Sequence, residues 1–393
     1  FILLPIYYRL NLTTIYGYIR DRLGCRSYKT GAAFFIVSKL VGAAVRFYVV
    51  CFILQRFVFD AWHVPFACTV VVMVALIWLY TRRAGVKTLV WSDTFQTTCM
   101  LAALVLIIVA AIGCLNLDLH GLVAKVAADP HSRVFVFDDW ASRQNFWKQF
   151  LSGIFVVIVM TGLDQDMMQK NMTCKTLREA QKDMCLYGFA FVPVNLLFLV
   201  LGILLVWLSS ARGMALPQMG DDLLPMFAAS GQLGTTVVVL FTIGIVAASF
   251  SSADSALTAL TTSVCVDFFE RPGDERLRKR AHMAIAAIFV AFILLFRAVN
   301  STSVIDAIYI LCGYTYGPLL GLFAFGLLTH RAVNDRWVPA VAIASPLLCF
   351  AIETTTRHFT GYQFGYELLM LNGVLTFAGL WMLMPKNESL RKK

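Results

Sequence analysis

Charge is scarce in this sequence: only 14% of its 393 residues are Asp, Glu, Lys or Arg, against about 25% in ordinary soluble domains. Apolar residues make up 59% and mean hydropathy is +0.74, so a water-soluble globular reading is excluded. The ten Cys include no CxxC pair and no metal-type Cys/His spacing. Most sit in apolar runs, where Cys behaves as a small hydrophobe, so free thiols are expected and no disulfide framework. Neither HExxH nor GxSxG occurs, which leaves no enzyme constellation to argue from. The chain opens in the apolar run Phe1-Ile-Leu-Leu-Pro-Ile-Tyr with neither an initiator Met nor a basic leader. The expectation is that helices preceding this run are missing from the sequence.

What the chain does have is length of apolar run. One bilayer crossing takes about 20 apolar residues, and windows between charged or turn-rich breaks predict spans near 29–57, 63–81, 88–115, 147–169, 184–208, 235–266, 281–299, 303–329, 337–352 and 367–384. Ten helices therefore follow a helix tail at 1–8, giving an all-α multi-pass membrane protein read as a single transport domain over 1–393. The connectors alternate in character. Segments 9–29, 82–87, 170–182, 271–280, 331–336 and 386–393 hold 23 of the 33 Lys and Arg, and the intervening connectors hold 8. By the positive-inside rule the richer set, with the C-terminus, faces the cytoplasm. The formal net charge of +10 is then mostly a topology signal. It does not indicate a nucleic-acid surface, because the basic residues are dispersed among loops.

Within that frame, Leu12 to Gly24 reads as a short cytoplasmic helix that Gly24 stops. The outer loop 116–148 carries the interfacial mixture Trp140-Ala-Ser-Arg-Gln-Asn-Phe-Trp147.

An ionisable group at membrane depth costs at least about 2.5–3.5 kcal/mol on insertion scales, so each one needs a reason. The richest stretch is Gly244 to Ser263. Helical spacing aligns Ser251, Ser255, Thr258 and Thr262 on one side, with Ser252 one step round and Asp254 beside Thr258. Hydroxyl, carboxylate and carbonyl oxygens suit a small hard cation such as Na⁺. Helix packing is the alternative, since small residues let helices approach, although packing requires no carboxylate. Asp93 lies a turn or two into a helix starting in the cytoplasm, where an ion exit route and simple favourable placement near a helix N-terminus both account for it.

Arg46 interrupts an apolar run near mid-membrane. Its fork of donors matches a substrate carboxylate, and a structural partner such as Asp164 or backbone carbonyls is the other reading. Lys39 lies nearer the cytoplasmic end, within reach of the interface by snorkelling. In Met160 to Gln169, Gly162 and the trio Asp164, Gln165 and Asp166 break an apolar helix. Discontinuous transporter helices break in this way to expose backbone to substrate, and a helix ending at the interface is the bland alternative. In Cys312 to Gly321, Gly313, Gly317 and Gly321 recur every four residues with Pro318 between them, a packing and hinge pattern.

Taken together, several stretches resemble the sodium:solute symporter family: Pro5 to Gly24, Tyr80 to Gln96, Gly162 to Lys170 with Glu179-Ala-Gln-Lys, Ala248 to Ser255, and Tyr316 to Gly326. They fall in the family's order along essentially the whole chain. The resemblance implies an inverted-repeat fold of the leucine-transporter type with extra C-terminal helices. It implies a Na⁺ site at the Ala248 carbonyl and the Ser251 and Ser252 hydroxyls, completed by carbonyls from a first core helix that this sequence lacks. It further implies a second sodium or ion-exit site at Asp93, Asp254 and Ser255, with Ser251 beside it. Asp164 and Gln165 would face substrate from the broken sixth core helix, and Arg46 lies on the third, where the sialic acid branch uses an Arg. Tyr314 completes the candidate substrate set. The Ala84-Gly85 pair stands where the family more usually has Gly-Gly.

The implied activity is Na⁺-coupled import of a small organic solute, with carboxylated solutes such as sialic acid favoured by Arg46, with no organic cofactor and with the lipid bilayer and the solute as partners. Proton coupling on the same fold is the alternative, as is a transporter-like sensor or channel without coupled uptake. The expected location is the cell membrane.

Overall fold

The computed structural model describes the backbone of all residues except 11, 13, 82–85, 218–219, 300–303 and 385–393, and leaves out the side chains at 57, 80, 86–92, 119, 249–251, 299 and 305–306. The described chain is helical from end to end: α1 (Leu3–Leu10), α2 (Gly17–Arg22), α3 (Cys25–Leu54), α4 (Phe66–Thr81), α5 (Val86–Cys114), α6 (Leu119–Ala128), α7 (Phe146–Val157), α8 (Gln165–Asn171), α9 (Leu177–Ala211), α10 (Leu223–Ala229), α11 (Thr235–Ser263), α12 (Glu275–Val299), α13 (Val304–Leu328), α14 (Val338–Thr360) and α15 (Leu368–Met382). Single π-helical turns extend α3, α7 and α11 at Gln55–Phe59, Ile158–Gly162 and Val264–Phe268.

By length and composition, seven of the described helices can cross a membrane. An eighth span forms if Phe146–Gly162 and Gln165–Asn171, bent by 64° at their junction, count as one, and the apolar helices Phe66–Leu79 and Leu368–Met382 are shorter. Each corresponds to one of the ten expected segments. The bounds differ most at two ends: α9 starts at Leu177 rather than 184, because Thr176 accepts the Glu179 N–H as an N-cap, and α14 runs on to Thr360 rather than 352. The Ala84-Gly85 pair lies outside the described residues.

Enclosure grades across the bundle. In the most apolar window of α13, 67% of residues are buried, against 17% for α9. Leu186, Phe189, Val192, Leu196 and Leu199 of α9 are exposed, as a lipid-facing helix requires, while α13 packs chiefly on α3 and α15. The α13–α15 seam follows from the small residues: a methyl group added at Gly317 would lie 2.3 Å from Asn372 Cγ, and one at Gly321 would lie 2.4 Å from Thr376 Cβ. Asn372 is fully buried and donates to the carbonyls of Gly313 and Tyr314 at 3.1 and 2.9 Å. The four-residue glycine spacing is therefore a packing seam, as the sequence predicts.

Two long-range devices fasten the beginning of the chain. Asp335, in the connector before α14, accepts from the Arg26 and Ser27 backbone N–H groups at 2.8 and 2.7 Å, capping α3. Gly24 precedes that cap with φ +133°, and a side chain there would run into the Asp335 carboxylate. Asp267, in the π-turn after α11, accepts from Thr14, Tyr28 and Ser263 hydroxyls at 2.6, 2.7 and 2.5 Å. Gly24 thus separates α2 from α3, the stop expected from the sequence.

Candidate functional site

The break between α7 and α8 organises the site. An interrupted helix inside a membrane leaves backbone groups that lipid cannot satisfy, and here the N-terminal segment satisfies them. Tyr7 and Tyr16 hydroxyls donate to the Gly162 and Leu163 carbonyls, each at 3.0 Å, and the Ile15 N–H donates to Gln165 Oε1 at 2.9 Å. Gln165 is fully buried. Asp164 caps the new helix, its Oδ1 accepting from the Asp166 and Met167 N–H groups. The polar trio therefore marks a true break and not a helix that ends at the interface.

Asp164 is also the end of a buried line of charge. Its carboxylate accepts from Lys39 Nζ at 3.0 and 3.1 Å and from the Tyr316 hydroxyl at 3.0 Å. Lys39 Nζ reaches Asp166 Oδ2 at 2.9 Å. One helical turn on, Lys170 Nζ donates to Asp93 Oδ2 and to Ser255 Oγ, both at 2.8 Å, and stands 3.9 Å from Asp166 Oδ1. Ser255 sits beside Asp254, which is 1% exposed. Asp254 Oδ1 accepts the Ser255 N–H at 2.5 Å, and its Oδ2 has no hydrogen-bond partner among the described residues. Helices α3, α5, α8, α11 and α13 thus meet through one chain of side chains.

This placement corrects two expectations. Lys39 does not snorkel: it is 6% exposed and held between two carboxylates, whose charge outweighs its reach to the interface. Asp164 is accordingly not the partner of Arg46. The Arg46 Nε donates to the carbonyl of Gly42 one turn back at 3.0 Å, and its guanidinium makes no ion pair among the described residues. Arg46 is exposed although Gly42, Ala43, Ala44, Val45 and Phe47 around it are buried.

Of the other expected site residues, Ala248 is half-buried and Ser252 exposed, one turn apart on the same face of α11. The backbone of Ser251 lies in α11, and its side chain lies outside the described residues. Tyr314 is turned elsewhere, its hydroxyl donating to Glu353 of α14. Two residues along a helix are about 200° apart, so when Tyr314 faces α14 it is Tyr316 that faces Asp164. Sequence reasoning missed Lys39, Tyr316 and Lys170 as members of the site. The readable signal was charge balance: two acids in a helix break require cations, and Lys170 stands four residues after Asp166, within reach on one helix face.

A multi-helix membrane bundle with a broken, polar-lined helix at its centre is the architecture of a secondary transporter. The chain belongs to the sodium:solute symporter family, whose model matches residues 1–336. It is 26% identical over 351 residues to the sodium-dependent multivitamin transporter of Oryctolagus cuniculus, covering 83% of this chain and 52% of that protein. It is 24% identical over 388 residues to the sodium/sialic acid symporter NanT of Aliivibrio fischeri, covering 95% and 75%. With human sodium-coupled monocarboxylate transporter 1 the identity is 23% over 357 residues, covering 84% and 55%. The chain thus spans about half the length of the rabbit and human relatives. Its fold is that of a Na⁺-coupled sialic acid symporter solved substrate-bound and outward-open, with a TM-score of 0.80 at 18% identity over 97% of this chain and 78% of that one. The family and these relatives are transporters and not enzymes.

Proposed function

We propose that the chain is the transport domain of a Na⁺-coupled symporter that imports a small carboxylated solute by alternating access. Arg46 carries this reading: a guanidinium near mid-membrane, exposed between buried neighbours and with no ion-paired carboxylate among the described residues, suits an anion. Lys39 and Tyr316 already satisfy Asp164, so that anion is not the nearest acid of the broken helix. The names of the relatives agree with a small acid: sialic acid for one and monocarboxylates for another. Na⁺ is assigned to the Ala248 carbonyl and the Ser251 and Ser252 hydroxyls, oxygen donors suited to a hard cation.

Coupling requires that Na⁺ bind the outward-open state more tightly than the inward-open one. A tenfold sodium ratio is worth about 1.4 kcal/mol; a singly charged carboxylate travelling with one Na⁺ moves no net charge, so the about 2.3 kcal/mol per charge per 100 mV cancels and one ion supports roughly tenfold accumulation. The excess of Lys and Arg in the 170–182 and 271–280 connectors and at the C-terminus supports a cytoplasmic position for all three, in a protein of the plasma or inner membrane.

The test is thermal stability of the purified full-length protein in NaCl and in KCl, across sialic acids, monocarboxylates, sugars, amino acids and vitamins. A ligand that binds the folded state raises the apparent Tm by mass action. An acid that stabilises only in Na⁺, with the effect lost in Arg46→Ala and its sodium dependence lost in Ser252→Ala, supports the assignment. A protein indifferent to Na⁺ ends the sodium reading, and an acid that still stabilises Arg46→Ala ends the role given to Arg46.

A further inference from the structure

The chain of charge holds four carboxylates, Asp93, Asp164, Asp166 and Asp254, against two ammonium groups, and the two ammoniums are not equivalent. Lys39 lies wholly inside the break, between two acids of the same short segment. Lys170 instead reaches out of α8 across to α5 and α11. There its Nζ takes Asp93 Oδ2 and Ser255 Oγ, each at 2.8 Å. These are two of the oxygens that the family resemblance implies as ligands of a second cation. An ammonium is a compact monovalent cation with three donors. Two donors are used on these oxygens, and the nearest Asp166 oxygen, at 3.9 Å, is beyond hydrogen-bond distance. Beside them the buried Asp254 Oδ2 has no hydrogen-bond partner among the described residues. It lies within electrostatic reach of Asp93, Lys170 and Asp166.

We infer that the Lys170 ammonium is a tethered cation that occupies the second cation position of this transporter, so that no mobile Na⁺ binds between Asp93, Asp254 and Ser255. This deepens the sodium-symport reading above and rests on it for the first ion. A cation fixed to the chain neutralises the same oxygens as an ion but does not travel down the sodium gradient. The position then contributes to holding α5, α8 and α11 together and contributes nothing to the driving force. The family resemblance implies an ion site at Asp93, Asp254 and Ser255; Lys170 changes what that site is for.

Equilibrium binding of ²²Na⁺ to the full-length protein in detergent tests this without knowledge of the solute. The wild type is expected to bind one ion per chain. Lys170→Met removes the charge while keeping the length of the side chain, and it is expected to gain one further ion, which Asp93→Asn in the same background then removes. Lys170→Arg keeps a cation in place and is expected to stay at the wild-type number. A wild type that binds two ions overturns the inference, as does a folded Lys170→Met that binds no more than the wild type. If Lys170→Met does not fold, the wild-type number decides alone. A wild type that binds no ²²Na⁺ brings down the sodium-symport reading instead, and a Lys170→Met that then gains one ion still supports the tethered cation.

Discussion

Two buried polar regions share α13 and solve the membrane's demands in opposite ways. On one face, Gly313, Gly317 and Gly321 close against Leu368, Asn372 and Thr376 of α15 in turn. The seam is neutral, its amide bonded to the Gly313 and Tyr314 carbonyls and to the Ser345 hydroxyl. On the other, Tyr316 opens the line through Asp164, Lys39, Asp166 and Lys170 to Asp93. Close approach of backbones is enough to explain the seam. It does not explain the charged line, because a buried ion pair often does no better than break even with an apolar core of the same volume. Small residues in a membrane thus point to packing, while a paired charge points to something that must later be unpaired or exchanged.

The sharpest way to break that contrast is to remove one charge. Lys39→Met leaves Asp164 without its cation and Asp166 with Lys170 alone, 3.9 Å away. It is expected to cost about 3–5 kcal/mol, read by chemical denaturation in detergent. Adding Asp164→Asn is expected to restore a large part. A single variant within about 1 kcal/mol of wild type would mean that water, and not Lys39, neutralises the break. Next in size is Tyr316→Phe, which deletes a hydrogen bond to a charged acceptor, at about 1.5–3 kcal/mol. Tyr314→Phe, two residues away and bonded to the half-buried Glu353, is expected to cost less. If the two cost the same, the charged line has no special weight at α13.

On the neutral seam, Gly317→Ala forces a methyl group into Asn372, whose side chain is bonded on both sides and cannot retreat. A loss of about 1–3 kcal/mol is expected, against no more than about 0.5 kcal/mol for Gly202→Ala on α9, where nothing lies within 4 Å of the added carbon. Equal effects at the two glycines would show that the seam is not close-packed. The smallest change is expected at Arg46→Met. With no ion pair to lose, stability should move by no more than about 0.5 kcal/mol, while the solute-dependent rise in Tm disappears. A large destabilisation there would reveal a structural partner for Arg46.

The spans were legible because hydropathy and the positive-inside rule act on whole segments, and a 20-residue apolar run tolerates error at either end. The helix break was legible for a local reason: Gly162 and three polar residues in a row cannot continue a lipid-facing helix. What pairs with the break was not legible. Lys39 and Asp164 are 125 residues apart and Lys170 and Asp93 are 77 apart, and nothing in a single sequence ties such positions. Arg46 and Lys39 were both within plausible reach of Asp164. The structure separates them by a turn and more of α3, leaving one for the helix break and the other open. Tyr314 and Tyr316 are the same residue type at near-equal depth, and only the rotation of α13 decides between them.

The cap on α3 has a consequence for biosynthesis. Arg26 and Ser27 emerge from the ribosome well before Asp335, whose carboxylate satisfies their N–H groups and which is 308 residues beyond Ser27. At about 5–20 residues per second, α3 waits roughly 15–60 s for its cap. During that interval its N-terminal turn must be kept by water at the membrane surface, or by the machinery that inserts the chain.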